Sequence, residues 1–168
     1  MKILLALVDK FFPPQTVYAH CDIPCGIYDP HEAQMAAHTV LRMTNMIEEL
    51  QASSVEPPFE ERKRIISQIA RLTEVKEEHA ELVKHEVRVI WGDYFKDEHI
   101  KKHKEIHKLV FAIMKQASVA RQNVDIKVAS ELLAMVQQFA GIFWQTKGRK
   151  TVKVKSGYPT EGVIVVPK

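Results

Sequence analysis

A histidine and two cysteines stand within one six-residue stretch, His20-Cys21-Asp22-Ile23-Pro24-Cys25. Two thiolates with nitrogen donors make a soft, strong-field ligand set. Tetragonal or square-planar coordination suits Cu(II) or Ni(II), whereas zinc prefers a tetrahedral site. Pro24 and Gly26 shorten and bend the loop, so that both sulfurs can face one ion. The same spacing has two plainer readings, a pair of small buried residues beside a chance histidine, or a Cys21–Cys25 disulfide switch. These are the chain's 2 cysteines. They cannot build a disulfide framework, so the fold must rest on packing.

A second histidine group, His99, His103 and His107, falls at i, i+4 and i+8, the spacing of one helical face. Lys101, Lys102, Lys104 and Lys108 surround it and repel cations. The expectation there is a solvated face, not a metal site.

The elements that must position these residues follow from apolar spacing. A first helix is expected after Asp29-Pro30, with Ala33, Ala36, Ala37, Val40, Met43, Ile47 and Leu50 at three- and four-residue steps, and Pro30 suits an opening position. A second runs from about Phe59 to Trp91, with Ile65, Ile69, Leu72, Val75, Leu82, Val83, Val87 and Ile90 inward. A third follows Asp97 and uses Ile100, Ile106, Val110, Ile113 and Met114. The fourth starts after Asn123 as N-cap, uses Val128, Leu132, Met135, Phe139, Ile142 and Phe143, and stops near Gly148. Four amphipathic helices predict an all-α, antiparallel four-helix bundle. Beyond Gly148 the pattern alternates, which fits a small hairpin or a strand-like, non-helical C-terminal tail.

The chain has 168 residues, enough for one domain with its own core. The formal charge is +3, but Lys147–Lys168 alone holds six basic residues against Glu161. The body is therefore mildly acidic and the basic character belongs to residues 148–168, which argues against a nucleic-acid partner. No apolar run approaches the roughly 20 residues of a transmembrane span. Residues 1–19 have a short apolar run and end in Val17-Tyr18-Ala19, which resembles a small-residue cleavage site. They read as a leader removed on maturation, in a cytoplasmic protein rather than an exported one.

The run from His20 to Pro30, HCDIPCGIYDP, resembles almost residue for residue the nickel hook at the mature N-terminus of nickel superoxide dismutases. Glu81-Leu82-Val83-Lys84-His85, then Trp91, then Asp93-Tyr94-Phe95-Lys96, is similar to the same family, as is Ile142-Phe143-Trp144. The similarity runs in order from His20 to Lys147. It implies a domain over 20–147 with its hook at 20–28, and disproportionation of superoxide to dioxygen and hydrogen peroxide by Ni(III)/Ni(II) cycling. It also implies one nickel ion per subunit, held by the thiolates of Cys21 and Cys25, the backbone nitrogen of Cys21 and the α-amino group of His20. The His20 imidazole would be an axial ligand in the oxidised state. His20 and Tyr28 take the family's catalytic places, and Tyr28 and Tyr94 close the site. Asp22 and Pro24 order the hook, and Lys96 adds positive potential at the entrance. The family often backs the axial histidine with a glutamate and an arginine; the matching positions here hold Ala36 and His79. Further implications are a peptidase acting between Ala19 and His20, and a homohexamer. A different class using the same hook is a non-catalytic nickel or copper carrier. Tyrosine gates argue against it, since a carrier must hand its metal on. The tail is expected to be dispensable for metal chemistry.

Overall fold

The computed structural model describes residues 26–168. Helix α1 (His31–Glu48) is followed by the long α2 (Phe59–Val89), which continues into a single wide π turn over Ile90–Tyr94. Then come the short α3 (Asp97–Lys102), α4 (Ile106–Gln122) and α5 (Ile126–Thr146). Strands β1 (Thr151–Lys155) and β2 (Val163–Pro167) complete the described chain. Helix α1 packs on α2 and α5, and α4 packs on the same two, which closes the expected antiparallel four-helix bundle.

The core forms where the predicted stripes meet: Ala33, Ala37 and Val40 of α1, Val83 and Val87 of α2, Ile113 of α4, and Leu132, Val136, Phe139 and Phe143 of α5. Small residues on α1 allow its backbone to approach its neighbours closely. Helix α5 is long and apolar enough, by length and composition, to cross a membrane. Its apolar side is instead the centre of the bundle, and the fully buried Phe139 and Phe143 show why it is so rich in such residues.

Four expectations need correction. The expected third helix is two, broken at His103–Glu105. Ile100 and Ile106 are six residues apart, off the helical spacing, and no apolar residue lies between them to hold a continuous face. His103 closes α3 through its N–H to the His99 carbonyl (2.9 Å), and Ile106 restarts the helix with a 3.1 Å bond to the His103 carbonyl. The N-cap of α5 is Asp125, not Asn123: the Asp125 carboxylate accepts from the N–H groups of Lys127 (2.8 Å) and Val128 (3.1 Å). Asn123 serves the end of α4 instead, donating from its backbone N–H and its side-chain amide to the Val119 carbonyl. Pro30 sits at the N-cap, one residue before the opening helical position expected of it. Finally, the first half of α2 is not a core stripe. Ile69 is exposed, as are Phe59 and Ile66, because the helix outruns α1 and no other described element covers that end.

One buried charge ties the bundle together. The Lys76 ammonium, 1 % exposed, donates to the carbonyls of Ala120 (2.6 Å), Arg121 (2.8 Å) and Asn123 (2.9 Å). It thus caps the negative end of α4 from the side of α2. Burial, aided by the nearby Arg121, pushes its pKa down, and the Glu77 carboxylate opposes the shift.

The tail is a hairpin, with β1 and β2 antiparallel and Val154 opposite Ile164. It docks by specific bonds. The Gln34 side-chain amide pairs with both the N–H and the carbonyl of Val165, at 2.7 and 3.0 Å. His38 Nδ1 bonds Thr160 Oγ1 (2.8 Å) and its Nε2 bonds the Val163 carbonyl (3.1 Å). Gln137 of α5 donates to that same carbonyl at 2.7 Å.

Candidate metal centre

Of the predicted site, Ala19, His20, Cys21, Asp22, Pro24 and Cys25 lie outside the described residues. Gly26 has a φ of +91°, the left-handed conformation that side chains disfavour. The chain turns there. Three residues on, the Asp29 carboxylate accepts from the His31 N–H at 2.8 Å and sets the direction of α1. Between these two points Tyr28 is buried, 7 % exposed.

Tyr28 and Tyr94 come together, their ring centroids 5.7 Å apart and tilted by 51°. They are 66 positions apart in the chain, and the π turn is what brings Tyr94 round. It widens the last turn of α2, after which Phe95 leaves in an extended conformation. Such π turns recur at functional sites. The Tyr94 ring is packed by Phe143 at 4.8 Å and Phe95 at 5.5 Å, and it stacks on His99 at 5.2 Å with an interplanar angle of 16°. Lys147 Nζ lies 5.4 Å from the centre of the same ring. The Tyr94 hydroxyl bonds Thr146 Oγ1 at 2.8 Å.

The other predicted residues sit as follows. Lys96 is exposed and immediately precedes α3. His79 is half-buried on α2, its Nδ1–H donating to the Val75 carbonyl at 2.8 Å. In the neutral ring this leaves Nε2 as the acceptor. Ala36 is buried in the core. A methyl group there offers no hydrogen bond, so these two residues cannot reproduce a carboxylate–guanidinium pair.

His99, His103 and His107 do not share one face, because the break at His103–Glu105 separates them. His99 Nδ1 accepts from the Lys96 N–H at 3.2 Å, and His107 Nδ1 accepts from the Trp91 indole at 3.1 Å. Among the described residues no three metal-ligating side chains converge. The soft donors of His20, Cys21 and Cys25 fit nickel by their chemistry, with two thiolates available beside nitrogen.

Sequence reasoning passed over Thr146, Lys147 and His99 as neighbours of Tyr94. Thr146 and Lys147 belong to no recognisable motif, and the end of α5 brings them to Tyr94; His99, noted only for its spacing to His103 and His107, comes from α3. It also passed over Glu86. Its carboxyl is buried, and burial, followed by the nearby Glu32 charge, raises its pKa while His85 opposes.

The family model for nickel-containing superoxide dismutase matches residues 15–147, ending where α5 ends and leaving the hairpin outside. The chain is 39% identical over 137 residues to a superoxide dismutase [Ni] of Streptomyces coelicolor, covering 82% of this chain and 95% of that one. It is 37% identical over 142 residues to a superoxide dismutase [Ni] of Streptomyces seoulensis, covering 84% and 98%. Among solved structures it is similar to a native nickel superoxide dismutase, with a TM-score of 0.63 and 36% identity, over 76% of this chain and 99% of that one. A nickel-containing superoxide dismutase with the ligation of the oxidized state superposes with a TM-score of 0.64 at 33% identity, over 77% and 99%. By the extent of these matches, this chain belongs to the nickel-containing superoxide dismutase family.

Proposed function

We propose that residues 20–28 form the nickel-binding hook of this enzyme and that Tyr28 and Tyr94 close it. The activity and cofactor are those of the family: superoxide is disproportionated to dioxygen and hydrogen peroxide, with nickel as the metal. The carrier reading is not favoured. Cys21 and Cys25 would hold nickel through their thiolates, together with the backbone nitrogen of Cys21, the freed amine of His20 and the His20 imidazole. Bound there, nickel supplies a one-electron couple, which thiolate and amide donors bring into the range of the two superoxide half-reactions.

The protein's own part is access, order and charge. Asp22 and Pro24 would hold the hook in shape. The single observation that best supports this reading is the Tyr28–Tyr94 pair at 5.7 Å, which sets two phenol rings at the point where the hook enters the bundle. Rings so packed exclude large molecules and admit a diatomic anion. Lys147 and the exposed Lys96 add positive potential on the same side as Tyr94. Ala36 and His79 leave the His20 imidazole without the usual pair behind it, which alters its basicity.

Three finer points belong to the proposal. Residues 1–19 are a leader, removed by a peptidase cutting between Ala19 and His20. The protein is cytoplasmic. Subunits assemble, as the resemblance implies for a hexamer; exposed Phe59, Ile66 and Ile69 at the free end of α2 support burial against another copy.

The test is metal analysis and a dismutation assay on protein beginning at His20. One nickel per chain with dismutation is expected. Protein that retains no nickel under conditions where it folds, or that dismutes equally without it, would overturn the proposal.

A further inference from the structure

Thr146, the last residue of α5, takes part in two hydrogen bonds but has one proton to give. Its Oγ1 lies 2.6 Å from the Phe143 carbonyl and 2.8 Å from the Tyr94 hydroxyl. A carbonyl only accepts, so the threonine proton goes to Phe143. The Tyr94 hydroxyl must then be the donor in the second bond. Its only proton is committed to α5, and to any third group its oxygen presents lone pairs alone.

The phenol is not free to swing out of this arrangement. Phe143, His99, Phe95 and Tyr28 pack its ring at 4.8, 5.2, 5.5 and 5.7 Å. Thr146 is itself fixed by the helix that carries it.

Resting on the reading of Tyr94 as a gate of the site, we infer that Thr146 is a positioning residue that makes Tyr94 an acceptor-only gate. The Tyr94 oxygen accepts a hydrogen bond from water or from neutral hydrogen peroxide and offers none to an anion. Superoxide and other small anions are therefore not held at the gate by this hydroxyl. Their attraction is left to exposed cations such as Lys147, whose Nζ lies 5.0 Å from the Phe143 ring centre as well as over Tyr94. A long, solvated lysine draws an anion inward without fixing it. The result is an entrance that passes superoxide quickly and resists occupation by inert anions.

Azide, a stable triatomic anion, probes this directly. The nickel-loaded protein beginning at His20 is compared with its Thr146→Val, Thr146→Ser, Tyr94→Phe and Thr146→Val/Tyr94→Phe variants, by calorimetric azide titration and by azide inhibition of dismutation. Valine is close to threonine in shape but cannot accept, so it releases the Tyr94 proton to bond an anion. Azide should then bind about tenfold more tightly, the scale of one hydrogen bond to a charged group. Serine should restore the wild-type affinity. In the Tyr94→Phe background the valine substitution should change nothing, since the proton it would release is absent. Unchanged azide affinity in Thr146→Val, or the same gain in the phenylalanine background, would overturn the inference. Nickel content and thermal melting are checked for each variant, and Thr146→Ala, which also lacks the acceptor, replaces valine if that variant does not fold. Failure of the site reading is seen separately, as missing nickel or dismutation in the wild type.

Discussion

Two clusters in this molecule are made of the same parts. At the entrance His99 stacks on Tyr94, and Tyr94 bonds a threonine hydroxyl; under the hairpin His38 meets the Tyr158 ring edge-on at 5.1 Å and bonds Thr160. Their surroundings differ. Under the hairpin both His38 nitrogens and both ends of the Gln34 amide are bonded within the chain, and both residues are buried. At the entrance Tyr94 is half-exposed and Lys96 and Lys147 lie in solvent. A fully satisfied polar cluster fixes one arrangement and adds stability. One left partly open to water keeps groups available for a substrate. On the proposed reading of the site, the hairpin side holds the fold and the Tyr94 side serves the chemistry.

The largest effect that would break this division is expected at the hook. Cys21→Ser or Cys25→Ser should abolish nickel retention and lower dismutation to background, because a hydroxyl does not replace a thiolate donor. Circular dichroism should show unchanged helix content. Near-normal activity in either variant would remove the hook from the site.

Deleting the chain after Gly148 should give the opposite result. Nickel content and dismutation should persist, while the melting temperature falls, since Gln34, His38 and Gln137 lose the partners that Val163, Val165 and Thr160 provide. A cost of roughly 2–4 kcal/mol is expected in denaturant unfolding, from several buried hydrogen bonds lost together. Loss of nickel on truncation would show that the hairpin also supports the hook.

A gentler form of the same test is Gly162→Ala. A Cβ at Gly162 would lie 2.5 Å from His38 Cε1, and the ring can retreat only by straining its bonds to Thr160 and the Val163 carbonyl. Overpacking of this kind costs about 1–3 kcal/mol. Urea unfolding reads it, with nickel and activity unchanged.

The smallest effect is that of pH. Burial lowers the pKa of His38 in the folded chain, and the bond to the Val163 carbonyl opposes this more weakly. The unfolded chain therefore binds the proton more readily. The His38 contribution is complete above the ordinary value of 6.5 and declines as pH falls below it, levelling off only past the folded-state value. Wild type should lose more melting temperature on mild acidification than His38→Gln. Equal losses would mean that another group carries the dependence.

The helices were legible in the sequence because their stripes of Leu, Val, Ile and Phe recur at helical spacing and meet in one core. The break at His103–Glu105 was legible only in retrospect, in the six-residue step from Ile100 to Ile106. The hook motif stands out because the proposed donor side chains lie within six residues of one another. The sequence pointed to Tyr28 and Tyr94, whose rings do meet, but not to what packs around them. Thr146 and Lys147 reach Tyr94 through tertiary packing, which leaves no local pattern. The docking of the hairpin was hidden for the same reason: Gln34 and His38 look like polar residues on a helix until β2 lies across them.

On the proposed reading, the site depends on the amine of His20 and not merely on its side chain. In the 168-residue chain that nitrogen is a peptide amide joined to Ala19. An amide is a poor donor until it loses its proton. Cleavage creates an amine of reference pKa about 7.7–8.0, which a metal can capture near neutral pH. The direct measurement is to purify the full-length and the His20-initiated proteins, verify each by mass spectrometry, load both with nickel and compare retention and dismutation. Both should fold as helical bundles, and only the cleaved form should hold nickel and dismute superoxide. Equal activity from a chain whose leader is intact would contradict it.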